Sequence, residues 1–258
     1  MRVAISRDGE SFGDPIIVPT ATDFNDGVAV LKKIALELSG RELIKIAVGG
    51  VPGILNRDRS VLLSAPNLKE WENKPIKSEL ERVLGATVNL ENDASLAALG
   101  EAVYGAGKDK RIVAYLTIST GVGGARVVDG KIDVNAFGFE PGRQIIDGGE
   151  SLEYYIAGAS LAKRSGEAPK EISDFEVWDE TTKRLACGIN NMIAFWSPDI
   201  IVLGGPIMKH ISIDKVRIYL EKMLEGFPYI PDIVLAQLGD INGLYGALVH
   251  AKYLDKNP

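Results

Sequence analysis

Two hydrophobic periods alternate along the chain, and each change of period marks a new predicted element. Where apolar residues recur every three or four positions, the pattern predicts a helix. The predicted helices are residues 26–38, 76–84, 94–104, 175–195, 213–224 and 244–253. Short apolar or β-branched runs between them are typical of strands. The predicted strands are residues 1–6, 15–19, 43–48, 87–91, 111–119, 199–203 and 231–236. This order predicts an α/β protein with two related lobes.

Turn residues punctuate this pattern. Gly49–Gly53 follows the strand 43–48 and is predicted to reverse the chain, and Asp129-Gly130 predicts a tight β-hairpin. Asn92 and Asp93 follow the strand 87–91 directly, where a helix begins. Loops at the carboxyl ends of strands line the ligand crevice of open α/β sheets. The alternative is that Asn92 or Asp93 only caps the helix by accepting from its free amides.

The strand 111–119 runs into the sequence STGVGG, Ser119–Gly124. Glycines allow backbone amides to approach an anion closely, and Thr120 adds a hydroxyl donor. A glycine-rich turn by itself is equally typical of a β-hairpin. Taken together, the segments LENDASLAALGE and YLTISTGVGG resemble the sugar-kinase branch of the actin-like ATPases. More narrowly, the chain resembles the ROK family, which contains sugar kinases and sugar-responsive repressors.

The resemblance covers nearly the whole chain and implies a two-lobed actin-like ATPase (ribonuclease H-like) fold. We expect a first lobe at residues 1–107, on which residues 241–258 pack back, and a second lobe at 108–240. In the family, an Asp-x-Gly-Gly-Thr phosphate loop precedes the strand that MRVAIS matches. Nothing in this chain matches that loop, so the resemblance implies an N-terminally truncated fold. Either the sequence begins at an internal methionine of a longer gene, or the protein lacks the loop, and the activity of the chain as given is left in doubt.

The resemblance also implies roles for the residues of a sugar site. Asp93 is expected to be the catalytic base that accepts the proton of the attacking hydroxyl. The residues expected to contact the sugar are Asn92, Glu140, Arg143, Glu153 and Gly50. Solvated surface carboxylates are the alternative for Glu140 and Glu153.

Two glycine turns are expected to hold the nucleotide. In the first turn, Thr120, Gly121 and Gly123 would surround phosphate oxygens. In the second, Gly204 and Gly205 would lie beside adenosine. The same glycines would also suit a tight strand-to-helix turn.

Two departures from the family pattern bear on the site. Arg143 stands where the family usually has His, and a guanidinium only donates hydrogen bonds. It would either change the sugar specificity or form an ion pair with Glu140 or Glu153. The cysteines of the family's zinc loop are absent, and the chain has one Cys, Cys187, and two His. We therefore predict no structural zinc.

The amino-acid composition limits the classes of partner that the chain is expected to bind. The 258 residues include 29 Lys and Arg against 35 Asp and Glu, and the formal net charge of −6 argues against a general nucleic-acid surface. No apolar run approaches membrane-spanning length. One cysteine allows no internal disulfide, which suits the cytoplasm. Family members are often dimers, so the resemblance implies a homodimer.

The function implied by the resemblance is ATP-dependent phosphorylation of a hexose, with Mg²⁺ and with glucose as the default sugar. One alternative is a sugar-binding protein or degenerate kinase without catalysis. The other is an actin-like assembly protein, against which the Asn-Asp pair and the two glutamates argue.

Overall fold

The computed structural model describes residues 1–65, 67–224 and 226–256. The last two residues of the predicted segment 241–258 lie outside this range. Eight α-helices occur in the described part of the chain. They are α1 Phe24–Ser39, α2 Ile76–Leu84, α3 Asp93–Val103, α4 Leu152–Ile156, α5 Gly158–Ser165, α6 Phe175–Trp196, α7 Ile213–Met223 and α8 Asn242–Lys256. No helix among the described residues has the length and apolar character needed to cross a bilayer.

Thirteen strands occur in the same described ranges. They are β1 Arg2–Val3, β2 Ile16–Ile17, β3 Ile46–Val51, β4 Ile54–Leu55, β5 Leu62–Ser64, β6 Thr87–Asn92, β7 Ile112–Ile118, β8 Val122–Val128, β9 Lys131–Ile132, β10 Ile145–Asp147, β11 Glu150–Ser151, β12 Ile200–Gly204 and β13 Asp232–Leu235. Each predicted helix and strand is present, with most boundaries within three residues, and the structure adds the short elements β4, β5, β10, β11, α4 and α5.

The described chain separates into two compact units. The first contains residues 1–100, 134–138 and those from 240 onward, and the second contains residues 101–133 and 139–239. The lobes predicted from the sequence, 1–107 with 241–258 and 108–240, assign residues 101–107, 134–138 and 240 differently.

A parallel pair of strands, β3 and β6, carries the first unit's part of the candidate site. Gly49 pairs with Leu90 and Gly50 with Glu91, so both glycines lie inside β3. The prediction that Gly49 and Gly50 belong to a turn was therefore wrong, because the strand continues to Val51. The chain reverses only after that residue.

The core of the first unit packs around Trp71. Its indole is 3% exposed and lies edge-on to Phe24, with the ring centroids 5.3 Å apart. A Cβ on Gly27 would lie 2.0 Å from the indole, so only glycine fits there on α1. The Trp71 side chain therefore joins α1 to the segment that precedes α2, and its role is packing.

The second unit is built on one five-stranded sheet in the order β13-β12-β7-β8-β9. β12 is parallel to both β13 and β7, whereas β7, β8 and β9 form an antiparallel meander. Asp129 and Gly130 have φ of 50° and 70°, which confirms the predicted hairpin between β8 and β9. Because β7 and β12 are parallel, their carboxyl ends lie at the same end of the sheet, and so do the glycine turns that follow them.

A buried carboxylate fixes the end of α3. Glu101 is 0% exposed, and its Oε2 accepts from the amides of Gln237 and Ala106 at 3.0 and 3.1 Å. Its Oε1 accepts from the amide of Leu238 at 2.9 Å. Backbone amides thus surround the charge, which is how a buried carboxylate avoids a large desolvation cost.

Candidate active site

Asn92 and Asp93 stand where β6 gives way to α3, as the sequence predicts. Asn92 is the last residue of the strand, and its Oδ1 accepts from the amide of Ser95 at 3.1 Å. Its Nδ2 donates to the carbonyl of Gly53 at 3.0 Å. Asn92 therefore caps the helix and also ties it to the turn after β3, whether or not it contacts a ligand.

Asp93 is the first residue of α3 and keeps an exposed face. Its Oδ1 accepts from the amide of Ala94 at 2.8 Å. The surrounding protein removes water from the rest of the carboxyl, and this desolvation raises its pKa, while the amide hydrogen bond acts in the opposite direction. A carboxylate with a raised pKa that still reaches solvent is suited to take a proton.

Gly50 lies directly against Asp93. A Cβ at Gly50 would be 3.2 Å from the Cα of Asp93 and 3.2 Å from Cδ1 of Leu96. The missing side chain thus lets the start of α3 approach β3 closely. Gly50 is exposed, and its expected contact with a sugar stays a prediction.

The glycine turn of the second unit is shorter than predicted. Ser119 donates its amide to the carbonyl of Gly121 at 2.9 Å, and β8 begins at Val122. Gly123 pairs with Thr117 inside the sheet. The prediction of a turn over 119–124 was therefore wrong after Gly121, because the alternating pattern of β8 includes the later glycines.

The first amides of α5 hold this turn from behind. Gly158 donates to the carbonyl of Ser119 at 2.7 Å, and Ala159 donates to the carbonyl of Thr120 at 3.2 Å. Thr120 is exposed. Because its carbonyl is held by the helix, the turn is fixed while the Thr120 side chain keeps access to solvent.

Glu153 contacts the same turn. Its Oε2 accepts from the amide of Val122 at 2.8 Å, and a Cβ on Gly121 would lie 2.8 Å from that oxygen. Glu153 is nevertheless exposed. The structure thus brings Glu153 and Gly121 together, a contact that the sequence did not predict.

Arg143 pairs with Glu140. The distance from Nε of Arg143 to Oε2 of Glu140 is 3.6 Å, and the side chains are 65% and 33% exposed. Of the two alternatives for an ion pair, the structure shows the one with Glu140. A solvent-accessible ion pair of this kind contributes little stability.

Gly204 and Gly205 are required by packing. A Cβ on Gly204 would lie 2.6 Å from Oη of Tyr115, and one on Gly205 would lie 2.2 Å from the carbonyl oxygen of Ile118. Gly205 also has a φ of 90°, which favours glycine. These glycines are thus explained without a nucleotide, whose contact with them stays a prediction.

The predicted site residues fall into two sets, one in each compact unit. Gly50, Asn92 and Asp93 lie together in the first unit. The second unit holds the other set: Thr120, Gly121, Gly123, Glu140, Arg143, Glu153, Gly204 and Gly205. Among the described residues, no group of three or more His, Cys, Asp or Glu side chains is arranged to hold a metal ion.

Comparison with known proteins identifies the family. The model of the ROK family matches residues 19–143 and 147–253 of this chain. The chain belongs to the ROK family. The actin-like ATPase fold predicted from the sequence is confirmed by the structural neighbours of this ROK protein.

Three similar proteins are sugar kinases by name. A glucokinase of Streptomyces coelicolor is 28% identical over 255 residues, covering 81% of this chain and 80% of that protein. The ROK hexokinase of Thermus thermophilus is 26% identical with a TM-score of 0.82, covering 97% and 94% of the two chains. The inorganic polyphosphate/ATP-glucomannokinase of Arthrobacter sp. strain KM is 29% identical with a TM-score of 0.69, covering 96% and 91%.

Sequence reasoning about this ROK protein missed a buried ion pair beside the site. Arg59 pairs with Glu91, whose side chain is 4% exposed and which directly precedes Asn92. The available signal was a charged residue inside a strand that otherwise reads as buried, because such a charge needs a partner. The sequence does not indicate which cation provides it.

We expect Asp93→Asn to raise the thermal stability of this ROK protein at pH 7. The raised pKa means that the folded state holds the proton more tightly than the unfolded chain, so the ionised carboxylate destabilises the fold. That penalty fades as the pH falls through the raised pKa and is absent below about pH 4, the ordinary pKa of Asp. Melting temperatures of both proteins, measured from pH 4 to pH 7, check this.

Asp8→Asn is the matched control, with the opposite sign. Amides of Ser11 and Glu10 hold the pKa of Asp8 well below its usual range, so its charge stabilises the fold at neutral pH. The control should melt lower than the wild type at pH 7. A melting temperature of Asp93→Asn below that of the wild type at pH 7 would contradict the assignment of Asp93 as a desolvated carboxylate.

Proposed function

We propose that this ROK protein transfers the γ-phosphoryl group of ATP to a hydroxyl of a hexose, with glucose as the first sugar to test. The observation that carries the proposal is Asp93, a desolvated carboxyl with an exposed face at the end of a parallel strand. The glucokinase, hexokinase and glucomannokinase relatives support the same reaction class.

Asp93 is the catalytic base in this proposal. It accepts the proton of the attacking hydroxyl while the oxygen forms its bond to the γ-phosphorus and the bond to the ADP oxygen breaks. Phosphoryl transfer depends mainly on positioning and electrostatic stabilisation, so the base has to be held firmly. The amide of Ala94 and the close approach of Gly50 provide that support.

Carboxylate and amide groups recognise the sugar hydroxyls. Glu140 and Glu153 are acceptors for them, and Glu153 has a second oxygen besides the one bonded to Val122. Asn92 and Gly50 are the contacts proposed beside Asp93. Arg143 adds donors next to Glu140, where it favours a sugar with an acceptor at that position.

Thr120, Gly121 and Gly123 contact the phosphates, and Gly204 and Gly205 the adenosine. Mg²⁺ usually takes one or two carboxylates together with substrate phosphates and keeps several waters. The ion neutralises phosphate charge when bound.

The remaining sequence-based expectations complete the proposal. We propose a cytoplasmic homodimer with no structural zinc and no nucleic-acid or membrane partner. Its two lobes are residues 1–107 with 241–258, and residues 108–240.

We expect Asp93→Asn to lower kcat at least about a hundredfold while glucose affinity changes less than a few-fold. The amide keeps the shape and the acceptor oxygen for Ala94 but cannot take a proton, and a positioned general base contributes about 10²- to 10⁴-fold. Steady-state ADP release gives kcat, and isothermal titration gives the dissociation constant of glucose. Full turnover in this variant would remove Asp93 from the mechanism.

We expect Gly50→Ala to lower kcat several-fold to about tenfold. The new Cβ fits only if the start of α3 moves by a few tenths of an ångström, and reacting groups tolerate such displacements poorly. Gly49→Ala is the matched control on the same strand, because its Cβ would meet only the flexible end of Leu90. Equal kcat values in the two variants would show that Gly50 does not position Asp93.

A further inference from the structure

A buried ion pair lies immediately before the Asn92–Asp93 pair. Glu91 precedes Asn92 on β6, and its side chain is 4% exposed. Its partner is Arg59, on the loop between β4 and β5, with a side chain that is 32% exposed. Both residues lie in the first compact unit.

One oxygen of Glu91 joins the ion pair to the backbone of the site. Nη1 of Arg59 contacts Oε1 of Glu91. The same Oε1 accepts from the amide of Asn92 at 2.9 Å. The guanidinium thus holds the carboxylate that in turn orients the peptide unit between Glu91 and Asn92.

Arg59 also reaches a third segment of the chain. Its Nη2 donates to Oδ1 of Asn135 at 3.3 Å, and that oxygen accepts from the amide of Gly138 at 2.7 Å. The segment 134–138 thereby adjoins the loop that carries Arg59. A fork-shaped guanidinium can serve both partners at once, whereas an ammonium cannot reproduce this geometry.

The loop that carries Arg59 is a tight turn. Arg59 has a φ of 56°, in the left-handed region that non-glycine residues rarely adopt. Hydrogen bonds of the turn impose this conformation, since the amide of Arg59 donates to the carbonyl of Asn56 and the amide of Ser60 to Oδ1 of Asn56. The turn thus fixes the position from which the guanidinium reaches Glu91 and Asn135.

The charge of Glu91 is balanced by Arg59. His250 on α8 lies near both charges. Burial lowers the pKa of its imidazole, while the charge of Glu91 raises this pKa and that of Arg59 lowers it. Its imidazole is therefore neutral at pH 7. A buried carboxylate that loses its cation is strongly destabilised.

The pair faces a small cavity next to the proposed sugar contact. Its volume is about 10 Å³, roughly the space of one water molecule, and its lining includes Asn56, Arg59, Glu91, Asn92 and Phe137. Asn92 lines this cavity and directly precedes Asp93 in the chain. A change at Arg59 would therefore affect both the cavity and the position of Asp93, through Glu91.

We propose that Arg59 is a positioning residue for phosphoryl transfer, which acts through Glu91 on Asn92 and Asp93. It fixes the peptide at the end of β6 and, through Asn135, one wall of the cavity beside Asn92. This inference rests on the proposed function, and it assigns Arg59 no contact with the reacting atoms.

Arg59→Met tests the inference. The Met side chain keeps much of the length of Arg but removes the charge. Both residues have the same cost in the left-handed backbone conformation. We expect kcat/KM for the sugar to fall at least tenfold, while KM for ATP stays within twofold of the wild type. Arg59→Lys should recover part of the loss, because it restores the charge without the fork.

Two further variants keep the test informative if Arg59→Met folds poorly. Glu91→Gln retains an acceptor for the amide of Asn92 and leaves Arg59 partly solvated, so a smaller loss of the same kind is expected. Arg82→Met is the matched control, since it removes an exposed pair with Glu79 on α2. It should leave all constants unchanged.

A wild-type-like sugar kcat/KM in Arg59→Met would overturn the inference, and so would equal losses for sugar and ATP that follow the fall in melting temperature. If the wild type shows no turnover, the proposed function fails. In that case calorimetry of glucose binding tests the inference, which predicts a weaker affinity for glucose in Arg59→Met than in the wild type. A wild type that also fails to bind glucose would overturn both.

Discussion

The candidate site depends on the close parallel pairing of β3 with β6. That pairing places the start of α3 beside Gly50, and the absent side chain allows Asp93 to approach the strand. Desolvation by the surrounding protein also raises the pKa of the Asp93 carboxyl. The raised pKa and the fixed position of the carboxyl both suit a proton acceptor.

The second unit shows a different way of fixing a site. Its glycine turn is held on one side by the amides of α5 and on the other by the carboxylate of Glu153. Glu153 was expected to bind sugar. Its hydrogen bond with the amide of Val122 also fixes the turn that is expected to hold phosphate. In this proposal the residue that recognises the sugar also fixes a phosphate contact.

Local features of the site could be predicted from the sequence, whereas long-range contacts could not. The positions of Asn92 and Asp93 follow from a change of hydrophobic period, which neighbouring residues determine. The contact of Glu153 with Val122 joins residues 31 positions apart. The pairing of Arg59 with Glu91 likewise depends on tertiary packing. Gly123 was wrongly placed in the turn rather than in β8, because a glycine-rich turn and the first residues of a strand look alike in sequence.

The most direct test of the central claim is the release of ADP from Mg-ATP by this 258-residue chain in the presence of a panel of hexoses. The account predicts ADP release that depends on the added sugar, with glucose among the active ones. Absence of sugar-dependent release from every hexose, with glucose still bound in calorimetry, would contradict it. That result would identify a sugar-binding ROK protein without kinase activity.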